Sequence, residues 1–336
     1  MSGSVSIFGA GAFGTSLAQT FASNGVRSFL WSRSDQVAHQ INAEHKNPRY
    51  SGSLILDSKI HADSDRVQVA LKSHVWVYAC SASYFRDFCN EIKPLISADT
   101  VLIDTSKGLE PATLLMHSQI AQEVLGTDFS KNSFQILSGP SFAKELLENI
   151  PTSVSLAGLN PEKLLAVQTL LGAKNFRLYI SGDPIGCQVG GAAKNVIAIA
   201  LGIAEGLGLG QNSRAALMNR GLIEIARLGE SLGAKPQTFL GLSCLGDLLL
   251  TCSSLMSRNF RFGTLLGKGL SRAEAEKIVD STIEGALSAS AIFALSKKQG
   301  VDLPICNEVH AVLSQGKSAR DSYEDLLKRP QGVEWF

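Results

Sequence analysis

The chain has 336 residues, enough for two domains and for a large core built without metal or disulfide staples. Its 31 Lys and Arg against 30 Asp and Glu leave a formal charge of +1, which gives no global electrostatic basis for binding nucleic acid or an anionic membrane, though a local basic pocket stays open. Six cysteines without a Cys-x-x-Cys pair or a dense framework fit a reduced cytosol, and no metal is expected.

Residues 4-SVSIFGAG-11 read as a strand almost from the start, so no leader of signal-peptide length is expected. Short β-rich runs follow at 28–31, 75–79, 101–104, 134–137, 153–157 and 176–179, with helix-like segments such as 13–22 and 114–125 between them. That rhythm predicts βαβ units and a mostly parallel sheet, a Rossmann-type α/β domain over residues 1–183. Beyond 180-ISGDPIG-186 the strand runs give way to apolar residues at helical spacing, as in 217-LMNRGLIEIARL-228. Residues 184–336 are therefore expected to form an all-helical domain. The apolar run that ends at Glu205 is shorter than the ~20 residues of a membrane span, so no span is expected and a cytoplasmic protein is.

The segment 9-GAGAFG-14 lies between a predicted strand and a predicted helix. In that context Gly9 permits a tight turn, Gly11 lets a pyrophosphate approach the backbone, and Gly14 lets helix and strand pack closely. The helix N-terminus then offers N–H groups and a favourable dipole to the phosphates. The second strand ends at Ser32, Arg33 and Ser34, with Asp35 slightly later. Arg33 can meet a 2′-phosphate with forked hydrogen bonds, which favours NADPH over NADH.

Further along, 105-TSKGLE-110 places Lys107 at the carboxyl edge of the sheet, where open α/β folds bind ligands. In 138-SGPSFAKE-145, Gly139 allows close backbone approach and Ser141 is a candidate helix N-cap. Lys194 sits in 190-GGAAKNVIAIALGIAEGLGLG-210, between tiny and apolar neighbours, where a lysine either snorkels to water or is held dry for chemistry. The helical half adds 241-GLSCLGDLLLTC-252, 256-MSRNFRFG-263 and 282-TIEGA-286. The tail 318–336 ends in Trp335–Phe336 and either docks on the body or extends from it.

Taken together and in this order, these motifs resemble NAD(P)-dependent sn-glycerol-3-phosphate dehydrogenases of the soluble bacterial kind, from Gly9 to about Glu284. The resemblance implies reversible reduction of dihydroxyacetone phosphate to sn-glycerol 3-phosphate, the precursor of glycerophospholipids, by a homodimer. It implies Lys194 as general acid/base, Lys107 as a second cation facing substrate and cofactor, and Asp247 beside the reacting centre. Gly139, Ser141, Ser257, Arg258 and Asn259 would line the substrate site, Arg258 and Asn259 at its phosphate. Phe13, Thr15, Ala143, Arg258 and Glu284 would border the cofactor. Departures from the pattern are Phe13 for a common Trp, Ala193 for Leu, Cys244 for Gly, Gln211 for an acidic residue, and 50-YSG-52 without Leu-Pro.

The chemistry accounts for the residue types. Reducing a ketone requires a proton on the new alkoxide and a cation to stabilise it as charge develops. An ammonium does both when burial or a cationic neighbour lowers its pKa toward ~7–8. Direct contact with Asp247 would oppose that shift, so Asp247 is expected to orient through hydrogen bonds without touching Lys194. Cys244 has no histidine nearby in sequence and reads as a buried thiol; Arg261 reads as a surface charge. Two alternatives stay open. A 3-hydroxyacid or 6-phosphogluconate dehydrogenase would place an Asn one helical turn after its lysine, whereas Asn195 follows Lys194 directly. A non-enzymatic NADPH sensor would need the glycine loop but not Lys107, Lys194 and Arg258 together.

Overall fold

A computed structural model of the chain describes residues 3–280 and 283–330. Trp335–Phe336 and Thr282 of the 282–286 motif lie outside the described residues. The first half is built on an eight-stranded sheet of β1 (Ser4–Phe8), β2 (Arg27–Trp31), β3 (Ile60–Asp63), β4 (Val75–Tyr78), β5 (Val101–Asp104), β6 (Phe134–Ser138), β7 (Thr152–Gly158) and β8 (Phe176–Ser181). Spatial order is β3-β2-β1-β4-β5-β6-β7-β8, with every neighbouring pair parallel except β6–β7. The first six strands thus follow the doubly wound order in which the chain reverses direction between β1 and β4.

Strands β1, β4, β5 and β6 are buried along their whole length, as a parallel sheet covered on both faces requires. Phe8, Trp76, Tyr78 and Phe88 fill one face, and Val5, Ile7, Leu17 and Phe21 the other. Strand β3 is not among the expected runs. Its 60-IHAD-63 alternates buried and exposed residues at the sheet edge and is too short and polar to stand out. The helix expected over 114–125 starts only at His117, because Leu114 takes a left-handed backbone with φ +62°.

From Pro184 onward the described residues form helices and turns, as expected. The Pro184–Gly206 helix starts with Pro at its first position and is capped by Asp183, whose carboxylate accepts the Gly186 N–H at 2.9 Å. By length and composition this 23-residue helix could cross a membrane, which a count of its apolar run alone understates. Its most apolar window is wholly buried inside the protein, as a core helix is. The Arg258–Gly267 helix lies directly on it through Gly202, Gly206, Gly263 and Gly267. A Cβ at Gly202 would stand 2.2 Å from the Phe260 carbonyl oxygen, and one at Gly263 would stand 2.1 Å from that of Ile199. Backbone-to-backbone approach at this crossing brings the start of the Arg258–Gly267 helix onto the long helix, where Asn259 meets Asn195.

Candidate active site

The glycine loop follows β1 at the point where strand order reverses. Gly9 has φ +124°, and a Cβ there would lie 2.6 Å from the Ala79 carbonyl oxygen on the neighbouring β4 loop. A Cβ on Gly14 would collide with the Gly9 carbonyl. Gly11 differs. It precedes the Ala12–Ser23 helix without a side-chain cap, and no atom lies within 4 Å of where its Cβ would be. An open approach to uncapped helix N–H groups is what a pyrophosphate needs, so a dinucleotide fits here.

Asn47, absent from the expected set, pins this loop by donating to the Ala10 carbonyl at 3.0 Å and the Thr15 hydroxyl at 2.9 Å. Thr15 is fully buried, so its hydroxyl serves the loop's own shape. Phe13 is half-buried at the helix start, and Arg33 is exposed just after β2. Asp35 is engaged by the Ser64 hydroxyl.

Lys194 lies within its helix and is 4% exposed. Its Nζ donates to Asp247 Oδ1 at 2.8 Å and to the Thr251 hydroxyl at 2.6 Å. Lys107, on the loop after β5, donates from Nζ to Asp247 Oδ2 at 2.6 Å. One buried carboxylate therefore bridges two ammonium groups. Burial pulls Lys194 down to about 8; Asp247 acts upward, and Lys107 adds to the fall. For Lys107, burial acts downward but the charge and hydrogen bond of Asp247 outweigh it, so the net shift is upward. Burial acts to raise Asp247, and the two lysines together hold it below the usual carboxylate range.

The expectation that Asp247 stays out of contact with Lys194 is thus corrected. The two touch, and the amine still loses its proton readily because burial and a second ammonium outweigh a carboxylate it must share.

Local structure explains the convergence. Asp247 opens the Asp247–Cys252 helix directly after the wide turn Leu242–Gly246, and Thr251 follows one turn on. Cys244 is fully buried in that turn against Gly190, where an added Cβ would come within 2.9 Å of the cysteine's own. Burial pushes its thiol up, so it is an inert packing group, as expected. The Lys107 stem packs on the long helix at Gly191, whose Cβ position would lie in ordinary contact, 3.5 Å from Lys107 Cγ.

At the other end, Ser257 caps the Arg258–Gly267 helix by accepting the Phe260 N–H at 3.2 Å. Asn259 is buried, donates to Asn195 Oδ1 at 2.9 Å and accepts the Gly285 N–H at 2.9 Å. Asn195 donates in turn to Glu284 Oε2 at 3.3 Å, and Glu284 Oε1 lies 3.7 Å from the half-exposed Arg258 guanidinium. Gly139, with φ +152°, packs on Val154. Ser141 is not the N-cap of the next helix. Its hydroxyl donates to the Gly139 carbonyl at 2.9 Å, and Phe142 precedes Ala143–Leu147. The Ala143 carbonyl accepts the Ser16 hydroxyl at 2.7 Å, joining this segment to the glycine-loop helix. Arg261 is exposed and donates to the Ile278 carbonyl at 3.2 Å. Among the described residues, no group of three or more His, Cys, Asp or Glu side chains converges as a metal site.

A doubly wound sheet with an open glycine turn, facing a helical half that supplies a buried lysine, defines a dinucleotide-dependent oxidoreductase. Residues 4–164 match the family described as NAD-dependent glycerol-3-phosphate dehydrogenase N-terminus, and residues 183–324 match its C-terminus. A glycerol-3-phosphate dehydrogenase (NAD(P)+) of Carboxydothermus hydrogenoformans is 41% identical over 331 residues, 98% of either chain. One from Rhodospirillum rubrum is also 41% identical, over 98% of this chain and 93% of its own. The crystal structure of the Coxiella burnetii glycerol-3-phosphate dehydrogenase superposes with a TM-score of 0.91 at 34% identity, covering 97% of this chain and 99% of that one. The chain belongs to the NAD(P)-dependent glycerol-3-phosphate dehydrogenase family.

The residues that sequence reading missed are Thr251, Asn195 as a polar bridge, and Asn47. Thr251 carried a usable signal, since it lies four residues after Asp247 on one helix face. The other two act across 32 or more positions and leave no local trace.

Proposed function

We propose that this chain catalyses the reversible reduction of dihydroxyacetone phosphate to sn-glycerol 3-phosphate with NAD(P)H, a product suited to glycerophospholipid synthesis. The observation that carries the reading is the buried Lys194–Asp247–Lys107 bridge, next to which Glu284, whose charge acts on both lysines, lies 3.7 Å from Arg258. In this reading residues 1–183 bind the nucleotide and 184–336 bring most of the catalytic groups. Gly9, Gly11, Phe13 and Gly14 receive the pyrophosphate end, Arg33 favours a 2′-phosphate, and Ala143, Lys107, Arg258 and Glu284 border the cofactor. When bound, the nicotinamide supplies the hydride.

Lys194 holds a proton on Nζ, aligned by Asp247 and Thr251, and delivers it to the ketone oxygen as that oxygen becomes an alkoxide. Lys107 stabilises the same developing charge. In the reverse direction the neutral Lys194 amine takes the hydroxyl proton. Arg258 at its helix N-terminus grips the phosphate with a planar fork, helped by the helix dipole. Ser257 and Asn259 hold the backbone from which it projects, and Gly139 and Ser141 line the far side.

The test is NADPH oxidation by the purified protein with dihydroxyacetone phosphate or with unphosphorylated dihydroxyacetone. Turnover is expected with the phosphorylated ketone and only weakly without the phosphate. Firm NADPH binding with no turnover of the phosphorylated ketone would instead favour a nucleotide sensor.

A further inference from the structure

Behind the loop that carries Lys107 stands a second buried polar cluster that the assignment above does not use. Asp104 ends β5 and His117 opens the His117–Leu125 helix, and each is 1% exposed. His117 Nδ1–H donates to Asp104 Oδ2 at 2.8 Å. The other oxygen, Oδ1, accepts both the Ser106 backbone N–H at 2.9 Å and the Ser106 hydroxyl at 2.6 Å. On its far side the imidazole Nε2 lies 3.2 Å from the Ala82 carbonyl oxygen. The ring stacks on Phe85 with centroids 4.2 Å apart and planes 4° from parallel. The imidazole is thus held at its Nδ1 edge and on one face, and the carboxylate it orients grips the residue next to Lys107.

Burying a carboxylate with an imidazole costs desolvation that the contact barely recovers, so stability alone does not explain the pair. We propose that Asp104 and His117 are positioning residues for the reaction. Through Ser106 they hold Lys107 against Asp247, which makes Asp247 a shared partner of Lys194 and not its sole one. This rests on Lys194 being the proton donor proposed above.

The ionisable groups facing Lys194 are Asp247, Lys107 and Glu284, together with the buried thiols of Cys244 and Cys252, and the Thr251 hydroxyl also accepts from it. Those around the pair are Glu110, which is engaged by Arg86, together with Tyr78 and Cys89. If Lys107 swings away, its repulsion of Lys194 is lost and the whole Asp247 charge acts on one amine. Both changes make Lys194 hold its proton to higher pH.

The experiment is the pH profile of dihydroxyacetone phosphate reduction by His117→Phe and His117→Asn. Phenylalanine keeps the stack on Phe85 and removes both nitrogens, whereas the asparagine amide can still donate to Asp104. For His117→Phe the alkaline limb should move up by roughly one pH unit and kcat should fall roughly tenfold. The asparagine variant should return the limb to its original position. A slower phenylalanine variant whose limb does not move overturns the inference, since a purely structural loss would look like that.

Should His117→Phe fail to fold, Ser106→Ala removes the hydroxyl half of the same link and leaves the Ser106 N–H on Asp104, so a smaller shift in the same direction is expected. An unmoved limb in folded Ser106→Ala overturns the inference equally. If the unaltered protein does not turn over the phosphorylated ketone, the proposed function falls and takes this inference with it. Intact turnover with unmoved limbs removes the inference alone.

Discussion

An amine inside a protein gives up its proton more readily than one in water, because nothing nearby solvates the charge as well. Lys194 falls to about 8 from an ordinary 10.5, with burial as the main cause. The sign decides the direction of each limb. Reduction uses the ammonium, so its rate should hold below about pH 8 and fall tenfold per unit above it. Oxidation of the alcohol uses the free amine and should rise through the same range. Profiles of kcat/KM in both directions check this, and a limb near 10 would show that the amine is not held dry.

Lys194→Ala should lower kcat/KM by about 10²–10⁴ while NADPH fluorescence titrations change little. Asp247 keeps Lys107 as a partner, so the fold should survive. The motifs around Lys107, Lys194 and Asp247 were readable one by one, and their convergence followed from the resemblance. Direct contact between Lys194 and Asp247 was not readable, because it depends on how three charges share one buried space.

Two helices touching through glycines show why an element's place is harder to read than its existence. The rhythm of strands and helices was legible because buried parallel strands are continuous apolar runs and the later helices are periodic. The four-residue spacings Gly202–Gly206 and Gly263–Gly267 were also present in the sequence, but on a helix glycine reads first as a weak helix former. The structure gives them a role: they let one backbone lie on another and so bring Asn259, next to Arg258, against Asn195, next to Lys194.

Gly202→Ala places a methyl group 2.2 Å from the Phe260 carbonyl, a clash with backbone that no rotamer relieves. It should cost about 1–3 kcal/mol in urea unfolding and raise the KM for the phosphorylated ketone more than that for NADPH. Gly210→Ala, at a helix N-cap where no atom approaches within 4 Å, is the uncrowded comparison and should lose only the small preference of that position for glycine over alanine. Equal midpoints for the two variants would remove the crossing as the device that positions Arg258.

At the scale of the molecule, the two halves do not keep separate interiors. Leu109 and Met116, which lie between β5 and the His117 helix, belong to the core of the helical half, while Cys187 of the long helix packs into the core on one face of the sheet. Gln188 adds a polar tie, accepting the Ser118 N–H at 2.9 Å and donating to the Ser118 hydroxyl at 2.9 Å. The change of pattern near Asp183 was legible, but this interleaving was not, because short loop segments give no hint of which core they enter. Chains with separable domains usually unfold in steps. Here, loss of the sheet half would strip apolar cover from the long helix, and loss of that helix would open the sheet. Calorimetry should therefore show a single endotherm. NADPH at a hundred times its Kd, bound largely by the sheet half, adds about 2.7 kcal/mol and should carry the whole endotherm upward by several degrees. Two endotherms, of which only one moves with NADPH, would mean that the shared helix does not couple the halves and that the proton donor and the nucleotide site are held together only when ligand is bound.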